Sequence, residues 1–345
     1  MSRRSRRPVG RFWLLLTVFF LVVISLMLTH KTGKPPVHRA ALPPKHPTPV
    51  KPSPRWSGWS LSRLTLPHRT MGLAAVSGGQ QVFVLGGLVN DSSSNQIVEL
   101  QVSSAGAVQN VSPSPTTLPT PLHDLAAVPW DQSLLVLGGG TFASSAQTFR
   151  LPLPRMAPAT PEQPLPLPLS DLAAVPDGAR TLIVGGHNLG APSNTIWSYS
   201  PGQPAHVFAR LPQGVRYAAV ARSAHTLYVV GGLTASGSYT NDAEAYNLKS
   251  GSMTSLPPYP LAMQYAEAAV VGGRLLVAGG QTASGWTSQA YWYNADLHRW
   301  QAAPSLPEPA GYGALVSTSA GQALWVGGEG PQGALNSLWT IRLQG

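Results

Sequence analysis

The chain has 345 residues, of which 10% are charged, with 35 glycines, 34 prolines and no cysteine. The missing cysteine excludes disulfides, cysteine-held zinc, iron–sulfur clusters and thiol nucleophiles, and 43% hydrophobic residues make the chain too apolar for a disordered one. The net charge of +10 suggests nucleic acid only until it is located: residues 1–55 hold 11 Lys and Arg and no acid, whereas the remainder holds 12 basic and 13 acidic side chains, so no nucleic-acid partner is expected.

Residues 1–11 form a basic tail with Arg3, Arg4, Arg6, Arg7 and Arg11. Residues 12–29 carry no charge, and the run Phe12 to Leu28 is 17 residues long, the short end of what spans a bilayer core. The arginines place the N-terminus in the cytoplasm and the remainder of the chain outside. The run exceeds a signal-peptide core, and Leu28-Thr29-His30-Lys31 has no small-x-small cleavage pattern. The expectation is one uncleaved transmembrane signal-anchor helix. Residues 30–55 are rich in proline and spaced Lys and Arg. They read as an extended linker that holds a domain off the membrane surface.

From residue 56 onward the sequence repeats. Six apolar runs end in a glycine pair: Gly86-Gly87, Gly138-Gly139, Gly185-Gly186, Gly231-Gly232, Gly279-Gly280 and Gly327-Gly328, spaced 46 to 52 residues apart. Before each pair lies a small-residue strand, LAAV three times and then YAAV, EAAV and GALV. Before that comes a Leu-Pro turn, from Leu66-Pro67 to Leu306-Pro307. A small-residue strand suits the crowded axis of a ring of blades. A continuous apolar run suits a strand covered on both faces, and the glycines end it where the backbone turns or approaches another chain closely. Aromatic third strands come next, such as Ile196-Trp197-Ser198-Tyr199 and Ala290-Tyr291-Trp292-Tyr293, whose rings fill the widening gaps away from the axis.

These features resemble the kelch family. The glycine pair is its main mark, and a Tyr and a Trp separated by six residues is its second; Tyr293 to Trp300 has that in full, while Tyr246 faces Met253 in the Trp place. The resemblance spans about residues 56–345. It implies an all-β domain, a six-bladed kelch-type β-propeller with four-stranded antiparallel blades, preceded by the one transmembrane helix. The chain ends on a third strand, Leu338–Leu343, and Trp56 to Pro67 resembles the fourth-strand segment Trp300 to Pro307. Residues 56–63 are therefore expected to complete the blade begun by the C-terminus, which removes open sheet edges.

Chemistry is sparse. Gly328-Glu-Gly330-Pro-Gln-Gly333 fits a dinucleotide-binding pattern but contains Pro331 and leads into a strand, so no helix N-terminus awaits a phosphate. Galactose oxidase resembles this architecture, but its copper–radical centre uses a tyrosine cross-linked to cysteine. No cofactor and no metal are expected. Counting four residues back from the valine of each inner strand gives Gly72, Asp124, Asp171, Arg216, Ala266 and Tyr312, with His123 and Tyr265 beside them. Equivalent positions form a ring about a propeller axis, so these groups either make a polar pocket for a sugar or similar ligand or pair with each other, cap loops and face solvent. A second ring, after the glycine pairs, reads Leu88, Gly140, His187, Leu233, Gln281 and Glu329. These residues together point to a membrane-anchored, extracytoplasmic, non-catalytic binding module for a protein or surface glycan. The alternative is a carbohydrate-active hydrolase or epimerase using Asp124, Asp171, Arg216 and Tyr312.

Overall fold

In each repeat an Ala-rich strand hydrogen-bonds an apolar strand, which pairs an aromatic strand, which pairs an outer one, all antiparallel. The computed structural model describes residues 55–153, 158–319 and 321–344. The expected anchor at 12–29 and all of the linker but Arg55 lie outside them. Among the described residues there are strands and turns but no helix.

Blade 1 comprises Ala74–Gly78, Gln81–Leu85, Ile97–Val102 and Val108–Pro113. Blade 2 comprises His123–Trp130, Ser133–Gly140, Thr148–Pro152 and the short outer Thr160–Pro161. Blade 3 has Ala173–Asp177, Arg180–Val184, Thr195–Ser200 and Gln203–Arg210, and blade 4 has Ala219–Arg222, Thr226–Val230, Ala243–Asn247 and Met253–Ser255. Blade 5 runs through Glu267–Val271, Arg274–Ala278, Ala290–Asn294 and Arg299–Ala303. Blade 6 has Ala314–Ser319, Gln322–Val326 and Leu338–Gln344. Its outer position is filled from the other end of the domain: Arg55–Trp56 pairs Gln344 and Leu343, and Ser60–Leu61 pairs Thr340 and Trp339. The register puts Trp59, rather than Trp56, in the place of Trp300. Both indoles donate to a turn carbonyl, Trp59 to Pro304 (2.9 Å) and Trp300 to Pro257 (2.8 Å).

The first strand of every blade lies against the first strands of both neighbours, which closes the ring. Six apolar clusters hold it, one at each blade interface. The leucines of the Leu-Pro turns, Leu66, Leu118, Leu165, Leu211 and Leu306, are buried wedges in these clusters. Farther out the large rings do that work. Tyr199, Tyr246, Trp292 and Trp339 are all buried, and aromatic side chains carry the largest apolar area per residue.

The glycine pairs are explained by the neighbouring blade. All twelve glycines have positive φ. The second of each pair donates its N–H to the entry loop of the next blade, as Gly139 does to the Leu169 carbonyl (2.9 Å). A Cβ on Gly139 would stand 2.9 Å from the His123 carbonyl oxygen and 2.8 Å from Leu125 Cβ. Six interblade hydrogen bonds of this kind run round the ring, and only glycine fits both the conformation and the space.

Candidate functional site

One residue per blade, at the start of the inner strand, takes a left-handed backbone: Gly72 (φ 59°), Asp124 (54°), Asp171 (58°), Tyr217 (56°), Tyr265 (59°) and Tyr312 (56°). Each donates its N–H to the carbonyl of its counterpart one blade back. Asp124 bonds Gly72 (2.9 Å), Asp171 bonds Asp124 (3.0 Å), Tyr217 bonds Asp171 (3.1 Å), Tyr265 bonds Tyr217 (3.2 Å), Tyr312 bonds Tyr265 (2.9 Å), and Gly72 closes the circle onto Tyr312 (2.9 Å). Five non-glycine residues in this region of φ would be costly individually. The closed circle of bonds holds them.

Two members of the ring expected from sequence are corrected here. Arg216 and Ala266 are not on it; Tyr217 and Tyr265 are. Val220 stands one residue before, and Val270 one residue after, the position that valine holds in the other blades. The glycine pair is the better marker. The ring residue lies fourteen residues before the first glycine in blades 1 to 5 and fifteen in blade 6, where a bulge between Ser317 and Ser319 adds one. Arg216 and His123 sit one residue outside the circle, where they bridge to Leu233 and Gly140 of the second ring. His187 and Glu329 lie in blades 3 and 6, three blades apart.

The circle carries two kinds of chemistry. Blades 2 and 3 bring carboxylates together. Asp124 is buried and hydrogen-bonded to Asp171, and its pKa is raised well above the ordinary value, first by burial and then by the Asp171 charge. The hydroxyl of Tyr312 donates to Asp124 Oδ1 (2.5 Å) and that of Tyr217 to Oδ2 (3.4 Å), which opposes the rise. Burial and the neighbouring carboxylate thus both disfavour the charged form of Asp124. Asp171 also forms an ion pair with Arg216, Nη1 to Oδ2 3.1 Å. His123 lies 3.7 Å from Asp124 and its Nδ1 is 2.9 Å from Ser93 Oγ. Burial lowers its pKa, with Asp171 working the other way, so it is neutral at pH 7. Gly72 leaves room for the central contact: a Cβ there would be 2.9 Å from both Asp124 Oδ1 and the Tyr312 hydroxyl.

Blades 4 to 6 bring rings together. Tyr217 and Tyr265 have centroids 4.3 Å apart, Tyr265 and Tyr312 4.4 Å, and Trp286 extends the group 5.9 Å from Tyr265. Burial pushes the Tyr265 phenol up to about 12, with Tyr217 opposing through a hydrogen bond. Tyr217 and Tyr312 rise further for the same first reason, so all three stay neutral donors. Below the circle is a cavity of about 180 Å³ that the ring residues share with the inner strands, among them Ala74, Ala126, Ala173, Glu267 and Ala314. At the rim, Phe142 of blade 2 and Leu189 of blade 3 are almost fully exposed.

A family model described as the kelch motif matches residues 215–258 and 263–307, which are blades 4 and 5 with their entry loops. The chain is a six-bladed β-propeller in which blades 4 and 5 carry the kelch motif. The solved structure of YjhT superposes with a TM-score of 0.67 over 81% of this chain and 99% of that one, at 14% identity, a likeness of fold. No curated protein matches. Kelch propellers are commonly protein-binding modules.

Sequence reasoning places His123, Asp124, Asp171, Arg216, Tyr265 and Tyr312 at one mouth, and they do meet there. It misses Tyr217, Trp286 and Glu267. Tyr217 is legible by counting from the glycine pair. Trp286 reaches the mouth through the hairpin Gln281–Thr282 and Gly285–Trp286, whose fold back over the ring has no sequence signature.

Proposed function

We propose that this kelch propeller is a membrane-anchored, extracytoplasmic binding module that takes one sugar unit of a surface glycan in its channel mouth. The observation that carries this reading is the pairing, round one cavity of about 180 Å³, of three clustered tyrosines with two hydrogen-bonded carboxyl groups. Aromatic faces suit the apolar faces of a pyranose, and buried polar groups that both donate and accept suit its hydroxyls. Charge is moderated on the acidic side, because Arg216 offsets Asp171 and burial disfavours the charged form of Asp124. The apolar run at 12–28 with its arginine flank supports delivery to the outside.

The test is saturation-transfer NMR of the full chain in detergent against neutral hexoses, amino sugars and uronic acids. Binding to at least one sugar is expected, with loss on Tyr265→Ala at unchanged Tm. Absence of binding across the panel would overturn the reading. A second reading rests on the hydrogen-bonded carboxyls of Asp124 and Asp171, one of them with its pKa raised by burial, which is what an acid–base catalyst needs. It predicts that the same spectra show a bound sugar converting to a new anomer, epimer or hydrolysis product.

A further inference from the structure

Counting two residues along each inner strand from the axial circle gives Ala74, Ala126, Ala173, Ala219, Glu267 and Ala314. Five blades place a methyl there and blade 5 places a carboxyl. Each of these residues pairs the last residue before its glycine pair, Glu267 with Ala278, so the positions are structurally equivalent. An alanine therefore fits this site in every other blade.

Glu267 lines the same cavity as Asp124, Asp171 and the three tyrosines. Two residues along a strand put its Cα roughly 6–7 Å below that of Tyr265. Among the described residues its side chain has no hydrogen-bond or ion-pair partner. It is half-buried, because the channel reaches it, yet protein surrounds it closely enough that burial alone holds its pKa well above the usual carboxyl range. Arg216, the cation at the mouth, is engaged by Asp171. A carboxyl at a channel wall with no partner from its own chain calls for an explanation. Packing does not supply one, since alanine packs here five times over.

We propose that Glu267 is the floor contact of the sugar site and that it selects a sugar carrying a free amine. This rests on the glycan reading above. A carboxyl lacking any partner from its own chain is complementary to an ammonium group. Tyr217, Tyr265 and Tyr312 line the same cavity, and aromatic rings attract the same charge. The circle holds the hydroxyls of the ring and Glu267 receives the amine one step deeper, so the specificity of the site comes from the one blade that departs from the repeat.

Affinities of the full chain for glucosamine, glucose and N-acetylglucosamine, measured by titration calorimetry on wild type, Glu267→Ala and Glu267→Gln, test this. Wild type is expected to prefer glucosamine over glucose by tenfold or more. Both variants should lose that preference. Glu267→Ala should also melt higher than wild type, because it restores the residue of the other five blades; a purely structural role would lower the melting temperature. Equal binding of glucosamine and glucose by wild type, or a preference that survives Glu267→Ala, overturns the assignment and leaves the glycan reading standing. Failure of all three sugars to bind overturns both.

Discussion

The ring of glycine pairs and the axial circle are built from the same six-fold hydrogen bonding, yet they differ in what they tolerate. At the glycine pairs all twelve residues are identical, because a carbonyl, of the next blade for the first glycine and of its own blade for the second, occupies the space a side chain needs. At the axial circle the backbone is as uniform, with φ between 54° and 59°, but the side chains are Gly, Asp, Asp, Tyr, Tyr and Tyr. There the side chains project into a cavity instead of a neighbour. Main-chain repetition thus supplies a rigid collar whose inner chemistry is free to vary, and variation is where a ligand can be read.

The contrast breaks most visibly at the outer ring. Gly139→Val forces a β-branched residue to φ +84° against the His123 carbonyl, and a loss of roughly 3–5 kcal/mol in urea unfolding is expected. A loss under about 1 kcal/mol would show that the blades adjust, and that the glycine identity is not sterically imposed.

A carboxyl off the axis sharpens it. Glu244, in the third strand of blade 4, is buried, and burial with the nearby Asp242 raises its pKa from 4.5 to about 7. Between these values the unfolded chain has released the proton that the folded one keeps. Stability from this group is therefore full below pH 4.5, falls as pH rises to about 7 and is flat above. Glu244→Gln should remove that slope and raise stability at pH 8 by about 3 kcal/mol, read from unfolding midpoints across pH. An unchanged slope would place the pH dependence at the mouth instead.

The smallest effect concerns the circle itself. Tyr312→Phe removes the donor to Asp124 Oδ1 but leaves the backbone ring intact. A cost of about 1–2 kcal/mol is expected, with unfolding still a single transition. A larger cost, or a broadened transition, would mean that the side chains and not the main chain hold the collar closed.

The legible part of this molecule is the local part. The six glycine pairs, the Leu-Pro wedges and the aromatic third strands recur at nearly constant spacing, and each encodes a contact every blade makes with the next. The blade count and the all-β class result from them. The polar residues of the mouth are legible as a set, because each lies a fixed distance from such a mark. Their register is not, since Val220 and Val270 sit one place off the valine used to align them.

By itself the sequence determined that the chain forms six equivalent units, and which residue types each unit sends toward the axis. Only the tertiary structure decided that Asp124, Asp171 and Tyr312, up to 188 residues apart, share one hydrogen-bonded cluster, and that Glu267 finds no partner among the described residues. The physical reason is that a repeat specifies contacts between adjacent units. Which side chains meet across the axis, and which carboxyl keeps its proton, depends on the closure of the whole ring and the water it excludes.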